Sequence, residues 1–205
     1  MLRHRLFRFQ FHTAMAMASL LSMFSCNYPT EAEQASLSIS TGDTATLIST
    51  TRVTADYLQI KNALINTDND LVQRSAIIMQ EHVVAFRNQL ERNSEYSHLP
   101  SDLTAVLKTL SVIDSSLMLI IRDKDLSCEQ KRVYFAPLSE ATYTFLRLIP
   151  SKDQKLYRVI CPMAFNEQGA YWLSEFKEIK NPYFGKKMLS CGEIVDSLFN
   201  QKSKF

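Results

Sequence analysis

Apolar residues recur at alternating three- and four-residue steps over most of the stretch 51–149, and this period decides the fold class. Val53, Tyr57, Ile60 and Leu64 share one helical face. Val72, Ala76, Met79, Val83, Phe86 and Leu90 form a second stripe, from about Asp70 to Arg92. Leu103, Val106, Leu110, Ile113, Leu117 and Ile120 form a third, from near Ser101, and Phe135, Leu138, Thr142, Phe145 and Ile149 a fourth. Residues three or four apart lie above one another on a helix, so each stripe needs a facing partner. Four such helices joined by short connections predict a mainly α protein built on an antiparallel four-helix bundle. Only four Gly in 205 residues disfavours a turn-rich all-β alternative.

The punctuation agrees. "NTDND" breaks the first helix, and Asp68 or Asn69 can cap the second. "NSEYSHLPS" is a loop and "RDKD" ends the third helix. Ser127 followed by Gln130 has capping-box spacing for the fourth. Pro137 lies inside that helix, where proline costs about 3 kcal/mol, so a bend or a later start is expected. Pro150 closes it. The segment 151–198 has another texture, an irregular extension containing Cys, Met, Gly and Pro. "KLYRVICPM" reads as a short extended run and "CGEIVDSLF" as a short final helix, ahead of a tail at 199–205.

The first residues read as a targeting segment. Arg3, Arg5 and Arg8 precede the apolar run Phe11–Phe24, which is shorter than the ~20 residues a bilayer span needs. It ends "MFSC", a lipoprotein-type signal in which Cys26 would carry the lipid. The reading is therefore signal 1–26, tether 27–50 and helical domain 51–198, the latter divided into helices 51–150 and the motif segment 151–198. Export places the domain on the periplasmic side of the cell envelope, anchored to a membrane by lipid. A formal net charge of +2 with no basic face argues against nucleic acid. No phosphate loop, zinc-protease helix or telling carboxylate pair is present, so no enzyme is expected.

Outside the cytoplasm thiols tend to oxidise. Cys128, Cys161 and Cys191 remain beyond Cys26, an odd number, so one thiol stays free or serves another purpose. Cys128 falls one heptad before Phe135, on the core face. If Cys161 and Met163 lie on a strand, both side chains leave on one side. If Met188–Cys191 is a helical turn, those two also share a side. Two thiolates and two thioethers would then suit a soft cation, Cu(I) above all. The other reading is a Cys161–Cys191 disulfide stapling the extension, with both Met residues as core filler. The two exclude one another at any instant. Trp172 offers a ring to a bound cation, though packing is its commoner role. His82 reads as a surface residue, and His98 lies in a loop.

"CPMAFNEQGAYWLS" followed by "EIKNPYFGKKMLSCGEI" resembles the signature of a bacterial domain of unknown function. That domain occurs in exported lipoproteins and at the C-terminus of membrane-fusion adaptor subunits of heavy-metal efflux pumps. "YLQIKNAL" and the "KRVYFAPLSEA" pattern upstream extend the resemblance over about Thr51–Leu198. Val159 and Ile160 stand where family members often carry a polar residue or His. The resemblance implies a compact helical domain that handles copper or another soft metal, with Cys161, Met163, Met188 and Cys191 as the matching positions. It also implies an efflux adaptor or other envelope protein as partner. In the stapled alternative, the helical domain docks without metal and Tyr183 and Phe184 form an exposed aromatic contact.

Overall fold

The computed structural model describes residues 41–92, 103–149 and 155–198, with side chains from Ser49 onward. Cys26, His98, the signal segment and the tail lie outside the described residues. The chain is mainly helical. Four long helices, α1 (Thr41–Asn66), α2 (Asn69–Arg92), α3 (Leu103–Arg122) and α4 (Cys128–Leu148), precede a small antiparallel sheet. Its strands are β1 (Leu156–Cys161), β2 (Ala170–Ser174) and β3 (Glu193–Leu198), in the order β2-β1-β3.

Every residue of the first, second and fourth stripes is buried, and so is the third from Val106 onward. Consecutive helices pack on one another, and α1 also touches α4. The local stops are those the residue types favour. Asp68 Oδ1 accepts the Leu71 N–H (2.9 Å) at the head of α2. Ser127 and Gln130 form a complete capping box at the head of α4. Thr67 takes the left-handed conformation (φ 58) after α1. There Asp68 N–H bonds to Ala63 O (3.0 Å) and Thr67 N–H to Leu64 O (3.2 Å), a Schellman closure usually given to glycine.

Three expectations are corrected. α1 begins at Thr41, so residues 41–50 of the expected tether are helical. α4 starts at Cys128, directly after its Ser127 cap, and runs through Pro137, so the later start is not taken. Pro137 is exposed, as is Val133 four residues earlier, so the carbonyl that loses its donor lies on a face open to water. The segment 193–198 is strand β3 rather than a final helix. The motif segment thus carries a three-stranded sheet, whose first strand is the extended run expected in "KLYRVICPM", with turns and loops between the strands.

The sheet is pinned to the helices by polar contacts that also close its inner edge. Among the described residues, β2 has no strand neighbour on one side, and unpaired edge groups need partners. Two phenols supply them: Tyr57 Oη accepts the Leu173 N–H (3.0 Å), and the Tyr183 hydroxyl donates to Tyr171 O. Tyr57 also shares a hydrogen bond with Ser139 Oγ (2.8 Å). Burial raises the pKa of both phenols well above the usual tyrosine range, so they stay neutral and can donate. On β1, Arg158 lies 4.1 Å from the centroids of both the Tyr143 and Tyr171 rings and holds Glu140 on α4 with one nitrogen (2.8 and 3.0 Å). Buried Lys61 on α1 pairs with Glu175 just past β2.

Candidate dithiol site

Cys161 is the last residue of β1. It pairs with Ala170, as Val159 pairs with Trp172, so these four share one face of the sheet. Cys161 is fully buried. Cys191 precedes β3 in a loop and is half-buried. The two sulfurs, thirty residues apart in the chain, lie 2.8 Å from one another. Two thiolates on one tetrahedral ion, with metal–sulfur bonds of about 2.3 Å, would stand about 3.7 Å apart. A disulfide needs about 2.05 Å. The pair therefore sits between the two, about 1 Å from either.

The loop around Cys191 brings in both methionines through their backbone. Cys191 N–H donates to Met188 O (3.2 Å), closing a turn over 188–191. The Met163 N–H faces the Cys191 sulfur and favours its thiolate, against burial and the adjacent Cys161 sulfur. The latter two win and push the Cys191 thiol up to about 11. The strand expectation for Met163 is corrected: β1 stops at Cys161, and Pro162–Met163 is a turn with the Met163 side chain half exposed. The helical expectation for 188–191 is likewise replaced, since the single-turn 3-10 helix η1 covers Gly185–Lys187. Met188 is half-buried. Among the described residues, no cluster of three or more His, Cys, Asp and Glu forms.

Trp172 is core. It is 1% exposed, and its ring meets Tyr183 edge-on at 6.0 Å between centroids. Tyr183 in turn packs on Phe135 (5.8 Å) and Phe165 (5.4 Å). Tyr183 is therefore buried, which corrects its reading as an exposed contact; Phe184 beside it is half-buried. His82 is partly buried and bonded to Asp56 through Nδ1 (2.6 Å). Cys128 is buried on the core face as expected, 3.8 Å from Asn69 Oδ1, and burial raises its pKa.

Several residues that shape the site carry little signal in the sequence. Gly192 has φ +148, and a Cβ there would lie 2.7 Å from Trp172 Cη2 and 3.0 Å from Ile160 O. Only a residue without a side chain lets Cys191 come so close to the sheet. Gly185 (φ +54) leaves room for the Arg132 guanidinium, 2.8 Å from where its Cβ would sit. Between β1 and β2, Phe165, Asn166 and Glu167 all have positive φ (54, 56 and 67). Each such non-glycine residue costs about 1–2 kcal/mol. This left-handed turn places Phe165 against Tyr183. No family model, curated protein or solved structure matches the chain.

Proposed function

We propose that this is an exported, lipid-anchored envelope protein, its helices arranged as an antiparallel bundle, that captures Cu(I) or a similar soft cation as cargo. Cys161 and Cys191 hold the ion, and Met163 and Met188 complete the sulfur set. The observation that carries this reading is the sulfur contact of Cys161 and Cys191, with the backbone of both methionines bonded to the same Cys191 loop. Capture requires the pair to open by about 1 Å and each thiol to give up its proton. Cys191, the more exposed sulfur, meets the ion first; buried Cys161 then closes on it. Release runs in reverse, as thiols or thioethers of an acceptor, an efflux adaptor or other envelope protein, replace these sulfurs one at a time without redox change.

Two observations favour a second reading, a disulfide-stapled interaction module without metal. The 2.8 Å sulfur separation is tighter than a chelate needs. An apolar groove of about 610 Å³ between α3 and α4, lined by Val112, Pro137, Ala141 and Leu148, offers a docking surface.

Titration of the reduced protein with Cu(I) against a competing chelator separates the two. One equivalent binds tightly in the first reading, and Cys161→Ser or Cys191→Ser weakens binding more than about a hundredfold, while Met188→Leu weakens it about tenfold. Affinity rises with pH. Each displaced proton contributes about tenfold in affinity per pH unit, and the share of the Cys191 thiol, pushed up to about 11, persists from neutrality toward that value. A stoichiometric disulfide that resists reduction, with no Cu(I) uptake after forced reduction, supports the stapled reading.

A further inference from the structure

We infer that Asn181 is the positioning residue that sets Cys191 against Cys161; the inference rests on the dithiol reading above. Asn181 is fully buried, and each of its polar groups is used. Its backbone N–H donates to Leu189 O (2.8 Å), and its carbonyl accepts from Gly185 N–H (3.0 Å). Its Oδ1 accepts from Tyr183 N–H (2.7 Å) and Phe184 N–H (3.2 Å). Its Nδ2 donates to Cys191 O (2.7 Å). One side chain therefore has two jobs. The oxygen builds the turn over 181–184, a common use of asparagine. The nitrogen holds the main chain of Cys191 in place.

The two sulfurs are not held alike. Cys161 is fixed by the β1–β2 ladder. Cys191 stands outside any strand. Apart from the Asn181 amide, its backbone is held by the Met188 turn (3.2 Å). Freedom in the sulfur–sulfur distance thus lies on the Cys191 side, where the Asn181 nitrogen acts. Outer partners that orient a ligand typically contribute 10–100-fold.

Asn181→Asp separates the jobs. A carboxylate still accepts from Tyr183 and Phe184, but turns an oxygen toward Cys191 O where a donor stood. Asn181→Ser is the second variant: its short hydroxyl can still form the turn, more weakly, and cannot reach Cys191. The whole mature chain is equilibrated with glutathione buffers. In this exchange the two protein thiols give two electrons and two protons to glutathione disulfide, which becomes two glutathione thiols as the Cys161–Cys191 bond forms. Alkylation and mass spectrometry read the oxidised fraction. We expect both variants to keep the wild-type circular dichroism, and their equilibrium to move at least tenfold toward the dithiol. That shift is a potential about 30 mV less negative. Lys180→Ala, an exposed neighbour, leaves it unchanged. If Asn181→Asp fails to fold, Asn181→Ser decides. Folded variants with the wild-type potential overturn the positioning role while the dithiol reading stands. A wild-type protein that never forms the bond and never takes up Cu(I) removes the dithiol reading, and this inference with it.

Discussion

Replacing Trp172 by Ala lowers folding stability by about 3–5 kcal/mol. The ring is among the largest fully buried side chains. It touches three parts of the motif segment: its own strand, the Tyr183 ring and the Gly192 backbone. None of these can collapse into the space it leaves. Tyr183 is held by its bond to Tyr171 O, and Gly192 has no side chain to offer. Small domains have about 5–15 kcal/mol in all, so this one change removes a large share. Urea unfolding followed by circular dichroism measures it, since the variant lacks the only tryptophan. A loss under about 1 kcal/mol would place the ring outside the core and reopen a cation-binding role for it.

Arg132→Ala has a comparable effect by another route, a loss of about 3 kcal/mol or more. Arg132 is 3% exposed. Its Nε donates to Pro182 O (2.7 Å), and one terminal nitrogen donates to Leu64 O (2.9 Å) and Thr67 Oγ1 (3.2 Å). It therefore ties α4 to the end of α1 and to the turn that carries Asn181. Truncation leaves the buried Pro182 carbonyl without a donor, costing about 1–3 kcal/mol, and takes the charged donor from Leu64 O, which keeps only the 3.2 Å bond from Thr67 N–H. The exposed Glu129, 3.4 Å from the other nitrogen, contributes little by comparison. Arg132→Lys recovers only a minor part, because an ammonium cannot reproduce the planar fork. Full stability in the lysine variant would show that charge alone matters there. The measurement is again a denaturant midpoint.

The helical half of this fold was legible because its signals are local. Stripes at helical spacing and the Ser127 capping box need no knowledge of distant residues. The sheet half was not. "EIVDSLF" carries Ile194 and Leu198 four residues apart, which also fits a helix, and it becomes a strand by pairing with β1 across more than thirty residues. "NPYFG" is turn chemistry, which points Tyr183 outward, yet the turn is folded inward against Trp172. Residues 41–50 are poor in large apolar side chains, so no stripe announced the first turns of α1. At the site, residue type alone named the two cysteines. What brings them together, Asn181 and the bare Gly192 backbone, is visible only once the loop is closed.

The account stands on sulfur ligation of a soft cation, and X-ray absorption at the copper edge of the anaerobically loaded protein tests this most directly. The prediction is a shell of sulfur alone at about 2.3 Å, with one sulfur scatterer fewer in Met188→Leu and in Cys191→Ser. A first shell of nitrogen or oxygen, or a sulfur shell indifferent to Cys161→Ser and Cys191→Ser, would contradict it.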